Sequence, residues 1–259
     1  VFALILISYQ NEKLKPYLLI ILLVSTDILV YISGERTAFA LLSLFTLLII
    51  FFVSKYKVLR ITTFIISLIV IVLISYLDKD IRYRNIEHTI NQLTSSAVSD
   101  EDKTSKFVIY SDEHHSYLTT AFNMFKTKPI LGNGPNSFRV FCSDPKYKFN
   151  KYGCATHPHN TYIQLLSEIG IIGTLFVLLI FMLLIKKIFL NLYYSFRGLK
   201  EMISLDDYQV ILIICLIMTL WPIFPTKNFF NNWINIIYYL PVGFYLHSIY
   251  SGISNKDNK

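Results

Sequence analysis

Apolar residues run along this chain in long stretches separated by short polar connections. Six stretches, roughly 16–33, 36–53, 61–77, 161–185, 208–225 and 231–250, come close to or reach the length of a membrane span, which is about 20 mostly apolar residues. The third is the shortest, about 17 residues or ~26 Å of helix at 1.5 Å per residue; Asp78 extends it at the interface. The chain opens Val1-Phe2-Ala3-Leu4, inside a further apolar run with no initiator Met and no signal-peptide pattern. That opening reads as a piece of a longer protein, starting partway through a truncated span.

Basic residues sit on alternate connections: Lys13 and Lys15, then Lys55, Lys57 and Arg60, then Lys186, Lys187, Arg197 and Lys200, with Lys256 and Lys259 at the end. Cytoplasmic loops carry this excess, so these segments and the C-terminus are expected inside. Segments 33–37, 78–158 and 225–228 then face the opposite side. The organisation expected is 1–77 transmembrane helices, 78–158 one large outer loop, and 159–259 transmembrane helices with a cytoplasmic tail. Within the loop, Tyr117, Leu118, Ala121, Phe122 and Phe125 recur at helical spacing over Ile109–Phe125, and Lys128-Pro129 stops the run. Such a helix suits either the membrane surface or a small packed loop. The polar, acidic stretch 94–105 carries no such pattern.

Composition points the same way. Hydrophobic residues make up 54% and charged residues 16%, against about 25% charged in soluble domains. That excludes a disordered chain and leaves too little polar surface for a soluble globule. The net charge of +7 is accounted for by basic span flanks, so no nucleic-acid partner is expected; membrane lipid is. The predicted fold is an all-α polytopic membrane bundle of about six full transmembrane helices plus a truncated one, with a partly helical outer loop.

The densest polar cluster is Cys154-Ala-Thr-His157-Pro-His159-Asn160 at the outer mouth of a span. Paired histidines there suit proton transfer or metal binding, or are incidental loop residues. Asn160 suits a helix cap, with nearby helix N–H groups favouring an anion. Gly170 and Gly173 would let another helix approach. His114, His115, His157 and His159 could supply zinc ligands on paper, but no spacing is diagnostic. Arg36 opens a span at the outer surface, as an interface anchor or an anion ligand. Asp27 and Glu168 lie about two turns inside spans, suited to helix–helix hydrogen bonds or to catalysis. Asp78-Lys79-Asp80 has the form of a sugar-transfer metal motif and also of an interface segment. Gly132-Asn-Gly134-Pro135 could cradle phosphate, with Arg139 nearby, or simply turn. Cys142 and Cys154, twelve positions apart in the outer loop, are expected to form a disulfide in an oxidising compartment, whereas Cys215 lies within a span as a small hydrophobe.

These elements together resemble the O-antigen ligase and polymerase family of bacterial envelope glycosyltransferases. His159-Asn160, nine residues, then Gly170-Ile-Ile-Gly173 matches the ligase motif in full. Lys128-Pro-Ile-Leu-Gly-Asn-Gly134-Pro-Asn-Ser-Phe138 is similar to the family's loop element, and Arg36-Thr37 to its outer-face Arg motif. The stretch from Phe138 through Asn160 and Phe229-Phe-Asn-Asn-Trp233 resemble a subgroup. Where many members carry Arg before the loop helix, this chain has His114 or His115. The resemblance implies a bacterial inner-membrane enzyme with its large loop in the periplasm. It would move a glycan from undecaprenyl diphosphate to a lipid A-core or similar acceptor. His159 would be the base, with Arg36 and Arg139 holding the diphosphate; His157, Asn160, His114, Gly132 and Gly134 would bind substrate. A diphosphate leaves well unaided, so neither a metal nor a cofactor is implied. The related alternative is an O-antigen polymerase, which differs in acceptor. A transporter using His159 and Glu168 as a proton relay is the alternative of another class.

Overall fold

The structure, a computed structural model, describes residues 15–94 and 112–257, and among them every regular element is helical. The truncated opening span and residues 95–105 lie outside the described residues. The chain divides into two compact units: one runs up to Ile86 and adds Leu184–Thr219 and the chain from Tyr238, the other is Glu87–Leu183 with Leu220–Ile237.

The first unit is built from α1 (Lys15–Ser33), α2 (Arg36–Phe52), α3 (Lys57–Leu77), α4 (Lys79–Arg82), the C-terminal part of α8 (Thr161–Phe196), α9 (Asp207–Thr219) and most of α10 (Asn232–Asp257). In α3, the buried face is Arg60, Thr63, Ser67, Ile71 and Ser75. Ile65, Ile69, Val72, Leu73 and Leu77 stay exposed. That is the inverse of a soluble amphipathic helix, which turns its apolar stripe inward. Small hydroxyls facing the bundle allow close approach and hydrogen bonding: Tyr31 on α1 meets Ser75 Oγ at 2.6 Å, and Asp27 lies buried against Ser67. Asp27 therefore makes a helix–helix contact. Asp207, the first residue of α9, accepts the backbone N–H groups of Ser54 and Lys55 at 3.0 and 2.7 Å, which fixes the α2–α3 turn.

Helices α3 and α8 are long and apolar enough to cross a membrane, with only 28% and 22% of their most apolar windows buried inside the protein. A core helix of a soluble protein would be mostly covered. The apolar run 208–225 does not become a helix of spanning length, however. Helix α9 is 13 residues long, about 20 Å at 1.5 Å per residue. It stops at Thr219 because Pro222 has no N–H and disfavours helical backbone at Trp221. Asp78-Lys79-Asp80 is a helix start: the Asp78 carboxylate accepts the N–H groups of Asp80 and Ile81 at 2.9 and 3.0 Å.

The second unit contains α5 (His88–Thr94), α6 (Asp112–Thr127), α7 (Phe138–Phe141), the first part of α8 and the segment 220–237. Its core is Ala121, Met124, Phe138, Cys142 and Tyr147, with Tyr117, Cys154, Ala155 and Ile163 packed around it. Helix α6 matches the periodic stretch expected around Ile109–Phe125 and ends just before Pro129.

Candidate active site

Helix α8 is interrupted at Gly170, whose φ of 65° and ψ of −169° lie in a region open essentially to glycine alone. Breaking a helix frees carbonyls on one side and N–H groups on the other. The loop after α6 takes up both sets. Asn133 and Gly134 donate their N–H groups to the carbonyls of Ser167 and Glu168 at 3.0 and 2.7 Å, and Ile171 and Ile172 donate to Pro129 and Ile130 at 2.8 and 3.5 Å. A Cβ at Gly132 would strike the Glu168 backbone, and one at Gly170 would strike the Ile130 carbonyl. The two glycine elements, distant in sequence, are halves of one joint.

That joint changes the reading of several residues. Gly132, Asn133 and Gly134 commit their N–H groups to carbonyls, so these N–H groups do not form the phosphate cradle the sequence offered. Gly170 admits a loop rather than another helix, and Gly173 faces the Ile169 side chain of its own helix. Glu168, 1% exposed, accepts the N–H groups of Asn136 and Phe138 at 2.8 and 3.1 Å. Its carboxylate anchors the loop and the start of α7, and Gln164 on the preceding turn donates to it and to Asn228. Arg139, exposed on α7, lies near enough to Glu168 to act on its charge.

At the head of α8, Asn160 is the cap: its Oδ1 accepts the N–H groups of Tyr162 and Ile163 at 3.1 Å, while its Nδ2 donates to the Pro222 carbonyl at 2.8 Å. With both ends of its amide engaged and 6% exposure, Asn160 fastens the head of α8 to the Pro222 segment. The residue before it, His159, has φ 56°, a left-handed turn in a non-glycine residue, which stores strain commonly found at functional sites. The Thr226 N–H donates to the His159 carbonyl at 2.8 Å and holds this turn.

Around His159 the rings converge. His157 lies at 4.1 Å between centroids, His114 at 5.2 Å and Tyr117 at 5.5 Å. His157 Nε2 is 3.1 Å from the Thr226 carbonyl; a carbonyl only accepts, so Nε2 carries the proton. Nδ1 then accepts from the Thr156 hydroxyl at 3.0 Å, and both nitrogens of His157 are occupied. Burial, the His157 ring and the His114 ring, in that order, pull His159 down to about 4. Burial likewise lowers His157, with His114 adding to it, and lowers His114. The cluster is therefore neutral near pH 7, and His159 offers an unprotonated imidazole. His115 turns elsewhere, against the Phe149 ring at 5.8 Å. Among the described residues no three His, Cys, Asp or Glu side chains converge as a metal site.

The disulfide Cys142–Cys154 closes the segment ahead of the histidines. Arg36 opens α2 in the first unit. Sequence reasoning missed Thr226, Gln164 and Asn228, whose partners lie 60 or more positions away; only the unusual polarity of Asn228–Asn232 hinted at them.

No curated protein and no solved structure matches this chain. A protein-family model described as O-antigen ligase matches residues 18–178, a span that takes in Arg36, the 128–138 loop, all three clustered histidines and the Gly170 joint. More than half of the sequence is covered, and the chain belongs to the O-antigen ligase family.

Proposed function

We propose that this chain carries the catalytic histidine of a membrane-embedded glycosyltransferase of the O-antigen ligase type. It moves a glycan from undecaprenyl diphosphate to a lipid A-core or similar acceptor at the periplasmic face of the inner membrane. Family membership supports lipid-linked glycan and acceptor substrates in general, and the exposed apolar faces of α3 and α8 support a place in lipid. The observation that carries the reading is His159, kept neutral in a strained turn and braced by Thr226.

The chemistry follows from that state. An acceptor hydroxyl gives its proton to His159 as its oxygen bonds to the anomeric carbon, and the bond from that carbon to the diphosphate breaks. Attack opposite the leaving group inverts the anomeric configuration. A conjugate acid near pKa 4 makes a weak base, but an arriving diphosphate changes the balance, since nearby negative charge stabilises imidazolium. The donor thus strengthens the base as it binds. Arg139 is assigned to the diphosphate, whose growing charge suits planar, two-pronged guanidinium contacts. The leaving group needs no metal.

The acceptor separates ligase from polymerase, and deletion of the gene reads it. A ligase leaves lipid-linked polymer accumulating with none attached to lipid A-core, and that is the result expected. A single repeat still attached to core would instead assign the polymerase reaction.

A further inference from the structure

The joint at Gly170 sits in a helix long and apolar enough to span a membrane. Broken backbone is tolerated at membrane depth only where protein satisfies the freed groups, and the 128–134 loop does so through the four hydrogen bonds described above. Asn133 turns its side chain into the break, onto the Ser167 carbonyl, whereas Ile130 and Leu131 stay outside it. Ile130 is 61% and Leu131 73% exposed, beside Ile171 at 44% and Ile172 at 57% on the helix to which the loop is bonded. The Ile172 N–H bonds to the Ile130 carbonyl, which brings the two exposed apolar pairs to one joint. Two cations flank it: Lys128 starts the loop, and Lys126 on α6 lies over the exposed Phe122 ring at 4.9 Å from its centroid. An aliphatic wedge edged by lysines and an aromatic ring matches the layering of a leaflet, acyl chains below and phosphates above.

We propose that Ile130 and Leu131 insert into the acyl region of the outer leaflet as a wedge on the Gly170 joint, with Lys126 and Lys128 on phospholipid phosphates. The occupant of this surface is phospholipid. This rests on the reading of α8 as a membrane span, and it adds that the loop preceding α7 enters lipid with that helix. The leaflet boundary then passes close to Gly170, which leaves Glu168 and the head of α8 at the headgroup level.

Single cysteines at Leu131, Leu175 and Lys151, made in the full chain with Cys215→Ser, are labelled with an environment-sensitive fluorophore. The protein is reconstituted into phosphatidylethanolamine–phosphatidylglycerol vesicles, some with nitroxides near the top of the acyl chains. The label at 131 should shift to the blue and be quenched by nitroxide lipid to the same extent as that at 175, while the label at 151 is quenched only by aqueous iodide. Lipid quenching at 175 with iodide quenching at 131 would overturn the wedge and leave the span intact. Iodide quenching at both would overturn the wedge and the span together.

Discussion

His159 occupies a conformation that an L-residue adopts at a cost, and the Thr226 N–H is what holds it there. Replacing it by glycine removes the strain, whereas alanine keeps it. His159→Gly should therefore melt higher in detergent than His159→Ala, by about 1 kcal/mol of stability, although neither carries a base. Equal stability would mean that the turn is not strained. The lowered affinity of the cluster for protons sets a pH dependence as well. Between pH 6.5 and about 4 the unfolded chain binds a proton at position 159 that the folded chain refuses. Stability should be full above pH 6.5 and fall as pH drops towards 4, on the order of 1 kcal/mol after solvent screening. His157→Gln, which keeps a donor for the Thr226 carbonyl but removes a titrating neighbour, should raise the pKa of His159. Histidine-labelled NMR of the full chain reads that shift directly, and an unchanged His159 titration would show that the rings do not interact.

At the scale of elements, the loop and the kinked helix stand or fall together. Gly170→Ala and Gly132→Ala each force a Cβ into backbone and should cost about 2 kcal/mol or more. Gly173→Ala meets only the flexible Ile169 side chain and should cost less. Thermal melting of the purified variants orders the three, and a Gly170→Ala protein as stable as Gly173→Ala would contradict the joint. Opening the Cys142–Cys154 disulfide should cost about 3 kcal/mol by chain-entropy reasoning and loosen the approach to the histidines. Much of this was legible in the sequence. Lys128-Pro129 ends α6, Asn160 caps α8, and the stripe around Tyr117 is helical. The partnership of Gly132 with Gly170 was not legible, because the hydrogen bonds join positions more than 30 residues apart; from sequence each glycine reads as a local turn or a helix contact. The apolar run 208–225 misled for a different reason: hydropathy counts Pro222 and Pro225 as mild, whereas backbone chemistry makes them stops.

For the molecule as a whole, the proposed topology puts the basic segments in the cytoplasm and the 78–158 loop in the periplasm. Cysteine probes at Asn150 should label from the periplasm of intact cells, and probes at Lys57 only after permeabilisation. The reverse pattern would place His159 beside cytoplasmic nucleotide sugars and remove its acceptor. The family was legible in the His159–Gly173 motif. The role of Thr226 needed the fold, since it acts through backbone atoms that no residue type advertises.

In the proposed reaction His159 takes the acceptor's proton without a metal. The most direct test is glycan transfer from undecaprenyl diphosphate by the purified full-length protein, comparing wild type with His159→Gln in the presence and absence of EDTA. The loss expected for the variant is about 10²–10⁴-fold, the usual contribution of a general base, with donor binding retained and EDTA without effect. Near-normal turnover by His159→Gln, or activity abolished by EDTA and restored by zinc, would contradict it.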